Sequence, residues 1–192
     1  MRGVSMKHLF TVLLAALILA GCSKQINVNG PETQPKREFL KLNLQPTEKV
    51  ENYFLAGDII NGSQGGEIEL EKSFYSNGKQ GKVEVKLTIP AGAFTGTKLI
   101  AYLINSDNGT INFYPSMTFN KSLTLDYKIK GINLSGYNPA DIDFGYMNGS
   151  TIVIASYDSK KINIGQGLLE VDGARITHFS RYGWATIDDP GE

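Results

Sequence analysis

The sequence has very few of the side chains from which thiol and metal sites are built. It contains one cysteine and two histidines among 192 residues. One cysteine cannot form a disulfide bond within the chain, and zinc sites usually draw several ligands from cysteine and histidine. We therefore expect a protein without a metal ion and without a cofactor, and the composition excludes most zinc enzymes.

An excess of charge of either sign is also absent. The 19 basic and 19 acidic residues give a formal net charge of zero at pH 7, and no long basic run is present. Proteins that bind nucleic acids carry a basic patch or stripe, because much of their affinity comes from phosphate contacts. The composition therefore gives no indication of a nucleic-acid partner.

Helical periodicity is missing as well, and a period of two takes its place. Apolar residues alternate with polar ones in Val83–Ile89 and in Leu123–Ile129, which predicts strands with one buried face. Asn77-Gly78, Asn108-Gly109 and Asn148-Gly149 fall between apolar segments, and each predicts a two-residue hairpin loop with positive φ at both positions. Many short strands joined by such turns predict an all-β, antiparallel β-sandwich, because a single sheet could not cover its own apolar face.

The longest apolar run lies at the amino terminus and predicts an export signal. Leu9–Ala20 follows Arg2 and Lys7, and at roughly 12 residues it is too short for a transmembrane helix. It ends in Leu19-Ala20-Gly21-Cys22, which resembles the lipobox of bacterial lipoproteins. This resemblance implies cleavage before Cys22 and attachment of diacylglycerol and further acyl chains, such as palmitate, to that cysteine.

These features divide the chain into three parts. Residues 1–21 are predicted to be a signal peptide, residues 22–38 a polar, lipidated tether, and residues 39–192 one folded domain. Two or three acyl chains anchor a protein stably to a bilayer. We therefore expect a domain held outside the cytoplasm on a membrane of the bacterial cell envelope, the outer membrane if the cell has two.

Three separated segments of the domain resemble the ZU-5 domain, a β-sandwich found in ankyrins and netrin receptors. They are Gly65–Ile68 continued by Val83–Phe94, then Phe113–Phe119, and finally Ile176–Tyr182. Their order and spacing place a ZU-5-like core at about residues 65–184. The resemblance implies a β-sandwich that contacts other proteins.

Within the first of these segments, Pro90 is predicted to end a strand. Gly92 would let the chain turn directly afterwards, because glycine has no Cβ. Ala93 and Phe94 are then expected to close one end of the core.

The tripeptide His178-Phe179-Ser180 has a second implication. In some ZU-5 domains this motif is a site of self-cleavage, which here would break the Phe179-Ser180 bond. The Ser180 hydroxyl would attack the carbonyl carbon of Phe179 in an N-to-O acyl shift with His178 as the base, and water would hydrolyse the ester. Period two would place His178 and Ser180 on one face of a strand and Phe179 on the other. The alternative interpretation is a closing strand in which Phe179 packs into the core.

Three functions are therefore open from the sequence. The first is a non-catalytic envelope module that binds or scaffolds an unidentified protein partner, as the ZU-5 resemblance implies. The second is self-processing at Phe179-Ser180, although only Ser180–Glu192 follows that bond. The third is glycan binding by exposed aromatic rings, since the chain contains nine tyrosines and one tryptophan.

Overall fold

The structure, a computed structural model, describes residues 36–47 and 53–187, and these form two antiparallel β-sheets. Sheet A contains β1 (Arg37–Phe39), β3 (Tyr53–Asn61), β6 (Thr97–Asn105), β7 (Ile111–Tyr114), β9 (Ile142–Asn148), β10 (Thr151–Ile154) and β13 (Arg181–Ile187). Sheet B contains β2 (Gln45–Pro46), β4 (Gly66–Ser76), β5 (Lys79–Ile89), β8 (Thr118–Lys130), β11 (Ser159–Asn163) and β12 (Leu168–His178). The predicted all-β, antiparallel β-sandwich is confirmed.

The strand order explains how the chain moves between the two sheets. Sheet A runs β10–β9–β13–β7–β6–β3, with β1 also paired to β13, and sheet B runs β11–β12–β8–β5–β4–β2. Neighbours such as β4–β5 and β9–β10 are hairpins within one sheet. Other connections cross from one sheet to the other, and one of these joins β12 to β13. This crossing carries the His178-Phe179-Ser180 segment.

The predicted signal peptide at 1–21, Cys22 and the tether up to residue 35 lie outside the described residues. Arg37 and Glu38 pair with Ile187 and Thr186 of β13. The sheet therefore begins two residues before the predicted start of the domain at residue 39. In the part of the chain that the structure describes, no helix is long and apolar enough to cross a membrane.

The core lies between the sheets, where the period-two pattern predicts it. Val83, Val85, Leu87 and Ile89 of β5 are all at most 3% exposed. The alternating residues of β8 from Leu123 to Ile129 are equally buried. Burying one such side chain contributes about 1.5–3 kcal/mol. The two patterns read from the sequence therefore supply the centre of sheet B.

The segment after β5 forms the predicted corner. Gly92 has a φ of 84° and donates its N–H to the carbonyl of Gly62 at 2.7 Å. Ala93 and Phe94 follow it into the core at 0% and 6% exposure. Pro90 comes directly after the last residue of β5, so the expectation that it ends a strand is confirmed.

Only one of the three Asn-Gly pairs forms the predicted loop. Asn77 and Gly78 both have positive φ, at 51° and 76°, and they join β4 to β5. At Asn108-Gly109 only the glycine has positive φ, and its N–H bonds to the Asn105 carbonyl to close a longer loop. The β9–β10 loop starts one residue late, at Gly149, because Asn148 is still paired at the end of β9.

Candidate functional site

The His178-Phe179-Ser180 segment forms a corner between the sheets. β12 ends at His178 and β13 begins at Arg181, so Phe179 and Ser180 lie between two strands. The expectation that His178 and Ser180 share one strand face is therefore wrong. A period-two pattern cannot reveal the crossing from sheet B to sheet A, because the amino-acid sequence does not show to which sheet the next residue belongs.

Phe179 anchors this corner to the core. Its side chain is 6% exposed and stacks on Phe113, with ring centroids 5.0 Å apart and an interplanar angle of 13°. Phe119 meets the same ring edge-on at 4.7 Å. The Phe179 N–H donates to the Met117 carbonyl at 2.8 Å. The packing of Phe179 that the alternative interpretation expects is thus present.

The hydroxyl and the imidazole of the motif have different partners. Ser180 donates its hydroxyl proton to the carbonyl of Met147 at 2.7 Å. The His178 Nδ1 atom lies 3.1 Å from the Thr177 hydroxyl, and the ring stands edge-on to Tyr146 with centroids 5.1 Å apart. The base and the nucleophile of an acyl shift need a hydrogen bond to each other. Here the Ser180 hydroxyl bonds to Met147, and the His178 imidazole contacts the hydroxyl of Thr177.

The backbone of the corner is held by Tyr182. Its hydroxyl donates to the carbonyl of His178 at 3.1 Å. Burial, reinforced by Tyr146, raises the pKa of Tyr182, so this hydroxyl keeps its proton in neutral solution. Among the described residues, positive φ outside glycine occurs at Asn43 and Asn77 only, and the corner therefore has no left-handed strain.

The aromatic side chains are divided between the core and separate surface positions. Tyr102, Tyr182 and Trp184 are fully buried. Tyr53 and Tyr114 are 42% and 50% exposed on sheet A, and they lie on strands β3 and β7 with β6 between them. The two exposed rings lie among aliphatic side chains. Such a composition occurs in surfaces that contact proteins and also in surfaces that bind sugars.

The outer side of sheet A carries most of the large apolar side chains that are exposed among the described residues, and five of them form what we call the apolar face. Its members are Tyr53, Leu55 and Ile59 of β3, Leu99 of β6 and Tyr114 of β7. Leu55, Ile59 and Leu99 are 57%, 68% and 63% exposed. Ile59 lies directly across from Leu99 in the β3–β6 register. The members are therefore neighbours on adjacent strands.

The outer side of sheet B has the opposite character, and we call it the charged face. Lys82 bridges Glu71 at 2.7 Å and Glu84 at 2.6 Å, and these hydrogen bonds, with Glu71 the larger contributor, raise the pKa of the lysine. Lys128 pairs with Glu170 in the same way at 3.0 Å. Such exposed pairs add little stability, but they keep the surface hydrated. The charged face is thus dominated by ion pairs, with Tyr75 at 46% exposure as a large apolar side chain on the same side of β4.

Residues 36–47 and 53–187 contain acidic side chains and one histidine, which are residue types that bind metal ions. These described residues contain no group of three or more histidine, cysteine, aspartate or glutamate side chains that could hold a metal ion. The Asp143 carboxylate, for example, accepts from the Tyr157 hydroxyl at 2.7 Å and pairs with Lys160 at 3.2 Å. These contacts neutralise the carboxylate within the fold.

Sequence reasoning did not identify the apolar face, although a signal for it was present. Residues 53–60, YFLAGDII, are apolar at odd and at even positions. This pattern is typical of a strand that is covered on both sides. The described residues cover only one side of β3, with Phe54 and Ile60 in the core.

Comparison with protein-family models, with curated proteins and with solved structures found no match to this chain. The resemblances to ZU-5 domains and to bacterial lipoproteins therefore stay predictions.

Proposed function

We propose that this chain is a lipid-anchored protein of the bacterial envelope whose β-sandwich binds another protein without catalysing a reaction. The anchor is the acyl-modified Cys22, as the lipobox-like sequence implies. The binding surface is the apolar face of sheet A. Exposed apolar patches on soluble domains commonly mark interaction sites, because water contact with them is unfavourable.

The apolar face is the observation that carries this proposal. Leu55, Ile59 and Leu99 each leave more than half of their surface in water. Covering this exposed surface contributes about 1–2 kcal/mol for each side chain, so the three together can support a specific interface. The exposed tyrosines at the rim add rings of a type that is frequent in protein interfaces.

Photo-crosslinking in the living cell tests the proposal. A photoreactive amino acid at Leu99 should give one dominant protein adduct, which disappears when Ile59→Lys is added. The matched control is the same photoreactive residue at Glu71, whose side chain is 68% exposed on the charged face. Equal adducts from both positions, or none from Leu99, would contradict a binding role for the apolar face.

A further inference from the structure

The strand β3 has one edge without a partner strand in the part of the chain that the structure describes. It is the last strand of sheet A, and its pairing is with β6. The final pair of that register is Asn61 with Thr97, and one step further the Gly62 N–H donates to the Gly96 carbonyl at 2.9 Å. Because antiparallel strands alternate between bonded and non-bonded pairs, the even-numbered residues of β3 bond to β6. The odd-numbered residues direct their N–H and C=O groups to the free edge.

The odd-numbered residues also carry the side chains of the apolar face. Leu55 and Ile59 therefore combine exposed apolar side chains with outward-directed backbone groups. A strand added to this edge would form backbone hydrogen bonds and would place every second side chain beside the apolar face. Gly57, between them, has no side chain to obstruct the approach.

One of the edge donors is already protected. The Asp58 carboxylate accepts the Ile59 N–H at 2.7 Å. Charged side chains at sheet edges reduce unspecific pairing with other strands. A partner strand would have to accept the Ile59 N–H in place of Asp58, and one of its side chains would have to neutralise the Asp58 charge.

The other side of the free edge is acidic. Residues 55–58 of β3 and residues 67–69 of β4, among them Asp58, Glu67 and Glu69, line a shallow groove of about 540 Å³. Three of its lining residues are therefore acidic, and Glu67 and Glu69 lie on the outer side of β4, opposite Thr88 and Lys86 of β5. The two glutamates pair with the Lys86 ammonium, which lies 2.7 Å from Glu67 and 3.4 Å from Glu69.

This charge decides which strand fits. The groove carries a net negative charge, so the side chains that a partner strand directs into it should be lysine or arginine. A second copy of this chain would instead bring Asp58, Glu67 and Glu69 close to the same carboxylates of its partner. Like charges at such an interface disfavour association.

We propose that β3 accepts an extended segment of another protein, in which apolar and basic residues alternate. The apolar side chains of that segment lie against the apolar face, and the basic ones face Asp58 and the glutamates of the groove. This inference rests on the proposed protein-binding function and names the class of partner.

The test uses the full chain in detergent and a fluorescent peptide of about eight residues, an ordinary strand length, in which valine and lysine alternate. Fluorescence anisotropy should give binding at least about tenfold tighter than for a matched peptide of alternating valine and glutamate. Asp58→Asn keeps an acceptor for the Ile59 N–H and removes the charge, so it should weaken the lysine peptide about fivefold. Equal affinity for the two peptides would overturn the proposal.

The backbone contribution has its own pair of variants. Leu55→Pro and Leu55→Thr both remove the leucine side chain, but only the proline variant removes the N–H at the free edge, where proline is tolerated. Leu55→Pro should bind the lysine peptide at least about tenfold more weakly than Leu55→Thr. If Leu55→Pro fails to fold, a lysine peptide with N-methyl groups on alternate amides replaces it, and this peptide should not bind.

Three further results would also overturn the strand-addition proposal. They are equal binding by Leu55→Pro and Leu55→Thr, full binding of the N-methylated peptide, and a dimer of the full chain in sedimentation that Leu55→Pro abolishes. The last result would assign the edge to a second copy. A crosslink from Leu99 that persists in Leu55→Pro would leave the protein-binding function in place while rejecting strand addition.

Discussion

Replacing Phe179 by alanine should destabilise the domain by about 4 kcal/mol. The ring is 6% exposed, stacks on Phe113 at 5.0 Å and meets Phe119 at 4.7 Å. Phenylalanine-to-alanine changes in a core cost about 3–5 kcal/mol, because the lost transfer free energy and the new cavity add. Each ring pair contributes about 0.5–1.5 kcal/mol of its own. Phe119 is only partly buried and can move towards the cavity, which keeps the expected cost below the upper limit.

Urea unfolding measures this cost. Trp184 is the single tryptophan of the chain and is fully buried, so its fluorescence reports the loss of the core. The matched variant is Ser180→Ala, which removes the hydrogen bond to the Met147 carbonyl and should cost about 1 kcal/mol. A loss below about 1.5 kcal/mol for Phe179→Ala at an unchanged m-value would refute the assignment of Phe179 as the anchor of the corner.

Three further predictions concern the tyrosines, the corner and the anchor. Burial raises the pKa of Tyr102, Tyr127 and Tyr182 above the ordinary value near 10. Tyrosines of the unfolded chain then lose their protons first, so the free energy of unfolding should be intact below about pH 10 and fall above it, by up to about 1.4 kcal/mol per pH unit and tyrosine; equal urea midpoints at about pH 9 and about pH 11 would disprove this. Denaturing mass spectrometry of the chain from residue 23 should give one full-length species, as it should for Ser180→Ala, whereas two wild-type fragments summing to the chain plus one water would establish self-cleavage. Cys22→Ser should abolish incorporation of labelled palmitate and release the protein from the membrane fraction, and persistent labelling would reject the lipobox prediction.

The central strands could be predicted because each has one solvent-exposed face and one buried face. Val83–Ile89 and Leu123–Ile129 alternate strictly, and the structure places both in sheet B with their apolar residues inside. The Asn77-Gly78 loop could also be predicted from the sequence, because a turn with two positive φ values favours these residue types. Asn108-Gly109 and Asn148-Gly149 look the same in the sequence, but pairing beyond the two letters fixes where each loop begins.

The candidate sites depend on information that lies outside any local pattern. Phe179 could be recognised as apolar, but the step of Phe179-Ser180 from sheet B to sheet A depends on where β13 finds its partners. The hydrogen bond from Ser180 to the Met147 carbonyl spans 33 positions of sequence. The same limit applies to β3, whose apolar residues on both sides predict cover on both sides, while the strand order alone shows which side stays open.

The contrast between the two outer faces favours a partner for sheet A over a general need for solubility. On the charged face, Lys82 and Lys128 pair with glutamates, and water can hydrate these exposed charged groups. On the apolar face, side chains such as Ile59 remain in water at an energetic cost, and they lie beside a free strand edge where aggregation is a hazard. At this edge the Asp58 carboxylate accepts a hydrogen bond from the Ile59 N–H, which reduces unspecific strand pairing. An edge that is apolar on one side and has Asp58, Glu67 and Glu69 on the other can select its partner strand, because like charges disfavour an acidic strand and opposite charges favour a basic one.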